Sequence, residues 1–288
     1  MKKTTTTLRE QLTSESLIVA PGAYDAIGAR MIEQAGFDAV YMTGAGTSAA
    51  RGYPDFGLLT LDEMVNNAAS MARAIAIPLI ADADTGYGND LNVTRTTREF
   101  EACGVTAIQL EDQVSPKRCG HLDGKSIVPR QEFIAKIRAA VRARRSAELA
   151  LIARTDARAV EGMDEAIWRA NAALDAGADV AFVEAAQTLD EVREIPRRVK
   201  GPCLLNLVQN GRTPILPMHQ VQEMGYRIAI APGLLLTTML AAGDAALARL
   251  RIDGKLPPST EDVTSVFRRF GAEEWNALRR ELATERNS

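Results

Sequence analysis

Two histidines and three cysteines are all that 288 residues offer to a soft or borderline metal. The cysteines stand at 103, 119 and 203, without the paired spacing of a zinc site, and three cannot build a disulfide framework. A reducing, cytoplasmic compartment is expected. A surplus of one charge is also lacking: 34 Lys and Arg against 37 Asp and Glu leave a formal charge of −3. That balance excludes the basic footprint from which nucleic-acid binders draw their affinity. No apolar run reaches the ~18 residues of a membrane span. The start, MKKTTTTLREQL, has no apolar segment behind its basic end, so no secretory signal is expected. What remains is a globular composition, 46% hydrophobic and 25% charged. The length fits two domains, or one α/β barrel with an appendage.

Short apolar runs alternate with helical patterns along the chain. Strands are expected near 17–20, 39–43, 78–82, 107–111, 149–154, 180–184, 203–207 and 227–231. Helical periodicity occupies 25–35, 61–74, 91–103, 131–145, 163–176 and 190–199. Gly36, Gly104 and Gly177 each follow a helix in the same relation to the next strand, where glycine supplies a left-handed cap. The strands are apolar throughout, as strands buried on both faces are. Eight such units predict an α/β protein, a closed (β/α)8 TIM barrel, with a doubly wound open sheet as the alternative. We place the barrel at 1–253. The longest gap between strands holds 113–130, QVSPKRCGHLDGKSIVPR, which reads as a gating loop. The helical tail at 254–288 carries a stripe of Val263, Val266, Phe267, Phe270, Trp275, Leu278 and Leu282. That stripe needs a surface, on its own barrel or on a neighbouring subunit.

Barrel chemistry sits at the C-terminal ends of strands. Those ends carry Asp82 and Asp84, then Glu111-Asp112, Arg154-Thr155-Asp156, Glu184 and Asn206. One buried acid there reads as a structural ion pair; five consecutive strand ends of this kind read as a site. Asp82, Asp84 and Glu111 offer hard oxygen donors, which suit Mg²⁺ or Mn²⁺ acting as a Lewis acid. Within the gating loop, Cys119 stands in Lys117-Arg118-Cys119-Gly120-His121. Its cationic neighbours are expected to stabilise a thiolate, making it a nucleophile or a proton donor. Cys103 and Cys203 read as packing residues. Gly44-Ala45-Gly46-Thr47-Ser48-Ala49 matches a dinucleotide fingerprint, but Gly52, Pro54 and Gly57 interrupt the helix it should open. Its N–H groups still suit an anionic oxygen. Arg138, Arg142, Arg144 and Arg145 read as a solvated face.

PGAYDA, YMTGAG, YPDFGLLT, ADADTGYGN, QLEDQ, PKRCGH, ARTDA, FVEA and LNLVQNGRTP follow in order between about residues 21 and 232. In these motifs the chain resembles the isocitrate lyase/phosphoenolpyruvate mutase superfamily, most closely its methylisocitrate lyase and dimethylmalate lyase branch. The resemblance implies C-terminal helices swapped between subunits of a homotetramer. It implies Mg²⁺ at Asp82, with Asp84 and Glu111 partly through water. The α-keto acid end of the ligand would lie on the N–H groups of Thr43, Gly44 and Ala45 and on Arg154, with Asp55 close by. Lys117, Cys119, Gly120 and His121 would close over it, and Glu184 and Asn206 would complete the carboxylate-binding wall.

The implied reaction is retro-Claisen cleavage of a 2-hydroxy di- or tricarboxylate into pyruvate or glyoxylate and propionate or succinate. Cys119 would be the general acid, and Tyr41 or a water at the metal the base. Alternatives are an oxaloacetate hydrolase or decarboxylase, or a mutase acting on phosphonopyruvate or carboxyphosphonoenolpyruvate. A non-catalytic barrel is opposed by intact Asp82, Cys119 and Arg154. Gln209-Asn210-Gly211 and Thr237 depart from the methylisocitrate lyase pattern, which favours a dicarboxylate such as 2,3-dimethylmalate.

Overall fold

The computed structural model describes residues 7–286, so the basic start at 1–6 lies outside them. The order is α1 (Leu8–Leu12), β1 (Ile18–Ala23), α2 (Ala26–Gln34), β2 (Val40–Met42), α3 (Gly44–Ala49) and α4 (Leu61–Ala74). Then come β3 (Leu79–Asp82), α5 (Asp90–Ala102), β4 (Ala107–Glu111), α6 (Arg130–Ala143), β5 (Ala150–Thr155), α7 (Ala157–Val160) and α8 (Met163–Asp175). β6 (Val180–Val183), α9 (Leu189–Arg198), β7 (Cys203–Asn206), α10 (Met218–Glu223), β8 (Ile228–Ala231) and α11 (Leu234–Asp253) follow. The eight strands are parallel and close in sequence order, β8 pairing with β1. The open-sheet alternative is excluded.

Local chemistry explains the elements. Thr60 caps α4 by a reciprocal box with Glu63, and the helix buries Leu61, Met64, Ala68 and Met71 at three- and four-residue steps. Burying a side chain such as Met64 or Met71 stabilises by about 1.5–3 kcal/mol. Gly36, Gly104 and Gly177 have φ of 84°, 93° and 104°, the left-handed caps that the sequence predicts. Unforeseen is α1, where Thr7 and Glu10 form another capping box. Its Leu8 is fully buried with Ile18, Ala39, Ile80 and Ile152, closing the bottom of the barrel. Arg144 departs from the expected solvated face: it donates to Asp179 at 2.7 Å and to the Leu149 carbonyl.

The register brings polar side chains together. β4 pairs with β5 so that Glu111 stands beside Arg154, and β3 pairs with β4 so that Asp82 stands beside Gln109. The chain divides into two compact units, Met1–Thr237 and Thr238–Ser288. The second holds α12 (Val263–Arg269) and α13 (Ala272–Glu285), neither with a buried residue. Among the described residues no helix is long and apolar enough to cross a membrane.

Candidate active site

The ends of β2, β3, β5, β6 and β7, the segment entering α11, Asp55 and residues 117–121 of the loop enclose a cavity of about 150 Å³. The turn after β3 is the most constrained backbone here: Asp84, Gly86 and Tyr87 have φ of 46°, 83° and 60°. Left-handed non-glycine residues store strain, and here they turn Asp84 back beside Asp82. Asp82 is held by the Gly44 N–H at 3.2 Å, the Asp84 N–H at 3.1 Å and Gln109 Nε2 at 3.3 Å. Gln109 in turn accepts from the Tyr41 hydroxyl at 2.8 Å.

Arg154 is the cationic centre. Asp156 grips it through Nε at 2.9 Å and a second nitrogen at 3.1 Å, while Glu111 and Glu184 lie at 3.2 and 3.5 Å. Burial alone pulls the guanidinium pKa down, but Asp156, Glu111 and Glu184 outweigh it and hold the group charged. Asp112 lies behind. It accepts from the Thr155 hydroxyl at 2.6 Å, the Asp156 N–H at 2.8 Å and Arg169 at 3.2 Å. Arg169 reaches the Val128 carbonyl at 2.9 Å, where the loop 113–130 rejoins the barrel.

The loop is closed over the cavity. Lys117 is only 4% exposed, pairs with Asp55 and lies 3.0 Å from Asp84 Oδ1. Burial disfavours its ammonium, but Asp84, Glu111 and Asp55 together hold it protonated. Gly120 fits against Arg154 and Glu184: a Cβ there would lie 2.5 Å from an Arg154 nitrogen and 2.6 Å from Glu184 Cγ. His121 Nε2 lies 3.5 Å from Glu184 Oε1, and burial lowers its pKa, so the ring is neutral.

Four expectations need correction. The cations beside Cys119 do not face it, since Lys117 points to the carboxylates and Arg118 over the Phe56 ring. Burial raises the Cys119 thiol, so it is a protonated donor and not a stabilised thiolate. The Thr43 N–H is engaged by the Ala23 carbonyl at 3.0 Å and the Gly44 N–H by Asp82, which leaves Ala45, in the first turn of α3, as the available donor. Tyr41 donates to Gln109, and burial lifts its pKa well above the usual phenol, so it positions Gln109 rather than acting as a base. Glu184 accepts from the Ala185 N–H at 2.7 Å and from Asn206 at 3.1 Å; it orients its neighbours and does not itself receive a carboxylate.

The carboxylates meet a test for a cation. Asp84 Oδ1 and both Glu111 oxygens are buried without a hydrogen-bond donor; Lys117 and Arg154 lie near but are not aligned to donate. Burial raises Asp84 to about 6 and Glu111 well above its range, against the opposing pull of Lys117 and Arg154. No three ligating groups converge on one point among the described residues. The all-oxygen donor set and the unmet acceptors still fit a hard divalent ion.

Of the fifteen candidate residues all but Gly44, Asp84 and Glu111 line the cavity, and those three stand directly behind it. Val208, Pro232 and Leu236 complete an apolar end. Gln109 was missed, although a glutamine two positions before Glu111 in an apolar strand shares its face. Tyr87, whose hydroxyl is buried without a partner, and Arg169 were also missed. Cys103 and Cys203 are free thiols raised by burial, Cys203 to about 12, as packing residues should be.

Residues 8–250 match the family model described as phosphoenolpyruvate phosphomutase. A 2,3-dimethylmalate lyase of Eubacterium barkeri is 49% identical over 226 residues, 78% of each chain. A 2-methylisocitrate lyase of Aeropyrum pernix is 44% identical over 247 residues, 86% of this chain and 80% of its own. Oxaloacetate acetylhydrolase, solved with the inhibitor 3,3-difluorooxalacetate, superposes with a TM-score of 0.93 at 38% identity over 96% of both chains. With the barrel, the strand-end carboxylates and the closed cysteine loop in place, these likenesses show that the chain belongs to the phosphoenolpyruvate phosphomutase family, within the isocitrate lyase/phosphoenolpyruvate mutase superfamily.

Proposed function

We propose that this protein is a carbon–carbon lyase that cleaves a 2-hydroxy carboxylate of the 2,3-dimethylmalate or 2-methylisocitrate type. The observation that carries the reading is Cys119: a protonated thiol on a closed loop, facing the same cavity as Arg154. Arg154 and the Ala45 N–H hold the α-oxygenated carboxylate end. As the hydroxyl gives its proton to a water of the site, its oxygen forms the new C=O and the C–C bond breaks. The bonding pair passes to the second fragment as an enediolate, which takes the Cys119 proton, giving an α-keto acid and a carboxylate; solvent later returns a proton to the Cys119 thiolate. Asp82, Asp84 and Glu111 would hold a divalent cation, Mg²⁺ or Mn²⁺, which would supply Lewis-acid charge to a developing alkoxide. The apolar wall of Val208, Pro232 and Leu236 supports an alkyl-substituted dicarboxylate over a tricarboxylate.

Cys119→Ser is expected to keep α-keto acid binding and to lose about 100-fold or more in cleavage. Near-normal turnover would overturn the assignment. A second reading, hydrolysis of oxaloacetate, draws on the likeness to oxaloacetate acetylhydrolase. Keto-acid release measured with dimethylmalate, methylisocitrate, oxaloacetate and phosphonopyruvate separates the two, and release from oxaloacetate alone would favour the second.

We further propose that 1–253, with its gating loop at 113–130, is the catalytic part and that 254–288 serves assembly. Within α12 and α13, Val263 and Trp275 are 72% and 70% exposed, which supports packing on another copy in a helix-swapped homotetramer. Three cysteines without disulfide partners support a reducing, cytoplasmic location.

A further inference from the structure

The stretch after β7, Gln209-Asn210-Gly211, makes no contact with the cavity. All three residues are exposed, and of this stretch only Val208 reaches the cavity. What the stretch meets is the gating loop. The Arg212 N–H donates to His121 Nδ1 at 3.1 Å. The Arg212 guanidinium donates through Nε to the His121 carbonyl at 3.1 Å and through a terminal nitrogen to Asp123 Oδ1 at 2.5 Å. Gly211 lies under the imidazole: a Cβ there would stand 2.9 Å from His121 Nδ1 and 2.9 Å from the Val208 carbonyl. Asn210, with φ of 57°, makes the turn that presents this surface.

These contacts do two separable things. A neutral imidazole that accepts at Nδ1 carries its proton on Nε2. Nε2 is the nitrogen facing Glu184 and Asn206. The backbone of residues 211–212 therefore sets the tautomer and seat of His121. The Arg212 side chain instead ties the loop, two and four residues beyond Cys119, to the barrel. A half-buried arginine with two charge-assisted bonds to one loop is a latch, and its planar fork suits two acceptors at once.

We propose that Gly211 and Arg212 form a receptor for the closed gating loop, with Arg212 as a positioning residue that holds Cys119 and His121 over the substrate. Arg212 touches neither substrate nor the reacting atoms; it acts through the loop. The kinetic part of this inference rests on the lyase reading, whereas the structural part does not.

The test uses the full chain with Arg212→Ala, Arg212→Lys and Gly211→Ala, reading amide hydrogen exchange across 117–127 and steady-state kinetics. In Arg212→Ala, exchange in the loop should rise about tenfold while barrel-strand peptides stay unchanged, and KM should rise about tenfold with kcat within about threefold of the parent. Arg212→Lys should recover part of the loss, since an ammonium can pair with Asp123 but cannot also span to the carbonyl. Gly211→Ala should lower kcat instead, because it displaces the imidazole while leaving the latch in place. Loop exchange in Arg212→Ala within about twofold of the parent would overturn the proposal, as would a lysine variant no better than alanine. Should the parent cleave none of the hydroxy acids, the lyase reading fails, and the exchange measurement still decides the latch.

Discussion

Replacing Arg169 by methionine tests the ion-pair network behind the site. The guanidinium is 2% exposed and bonds Glu165 at 2.8 Å, Asp112 at 3.2 Å and the Val128 carbonyl at 2.9 Å. Methionine fills similar volume but strands Asp112, which has no solvent access at all. Breaking one side of a buried pair costs about 3–5 kcal/mol. Asp112 keeps the Thr155 hydroxyl and the Asp156 N–H, and Glu165 keeps Arg130, which places the loss near the lower end. A loss of about 3 kcal/mol corresponds to a fall in Tm of about 6–12 °C for a unit of this size. Calorimetry on the parent, on Arg169→Met and on the double variant Asp112→Asn/Arg169→Met gives the decisive comparison. With both charges gone no unpaired ion is left inside, so the double variant should melt above the single one. A single variant melting within about 2 °C of the parent would refute the reasoning, as would a double variant that loses more than the single.

Two further outcomes are expected. Gly120→Ala should abolish loop closure, because its Cβ would lie 2.5 Å from Arg154 and 2.6 Å from Glu184; cleavage should fall by about 100-fold with Tm unchanged, and normal turnover would remove Gly120 from the site. Chelation of divalent ions should abolish cleavage, and Mg²⁺ or Mn²⁺ should restore it and raise Tm, since the unmet oxygens of Asp84 and Glu111 gain a partner. Full activity in chelator would end the cation reading.

Much of this molecule was legible locally. The barrel followed from eight apolar runs separated by helical periodicity, because period and glycine caps are properties of short segments. The carboxylates at 82, 84 and 111 followed from their strand-end positions for the same reason. Tertiary structure alone decided what those groups do to one another. Lys117 turns to Asp55 and Asp84, separated from it by dozens of residues, and so cannot activate its sequence neighbour Cys119. The first N–H groups after β2 go to Ala23 and Asp82, so the expected anion cradle narrows to Ala45. Barrel register, not spacing, sets Glu111 beside Arg154, and a loop from β7 meets His121 across 91 positions of chain. Which hydrogen bonds form over such separations depends on closure of the barrel, and no local pattern carries that information.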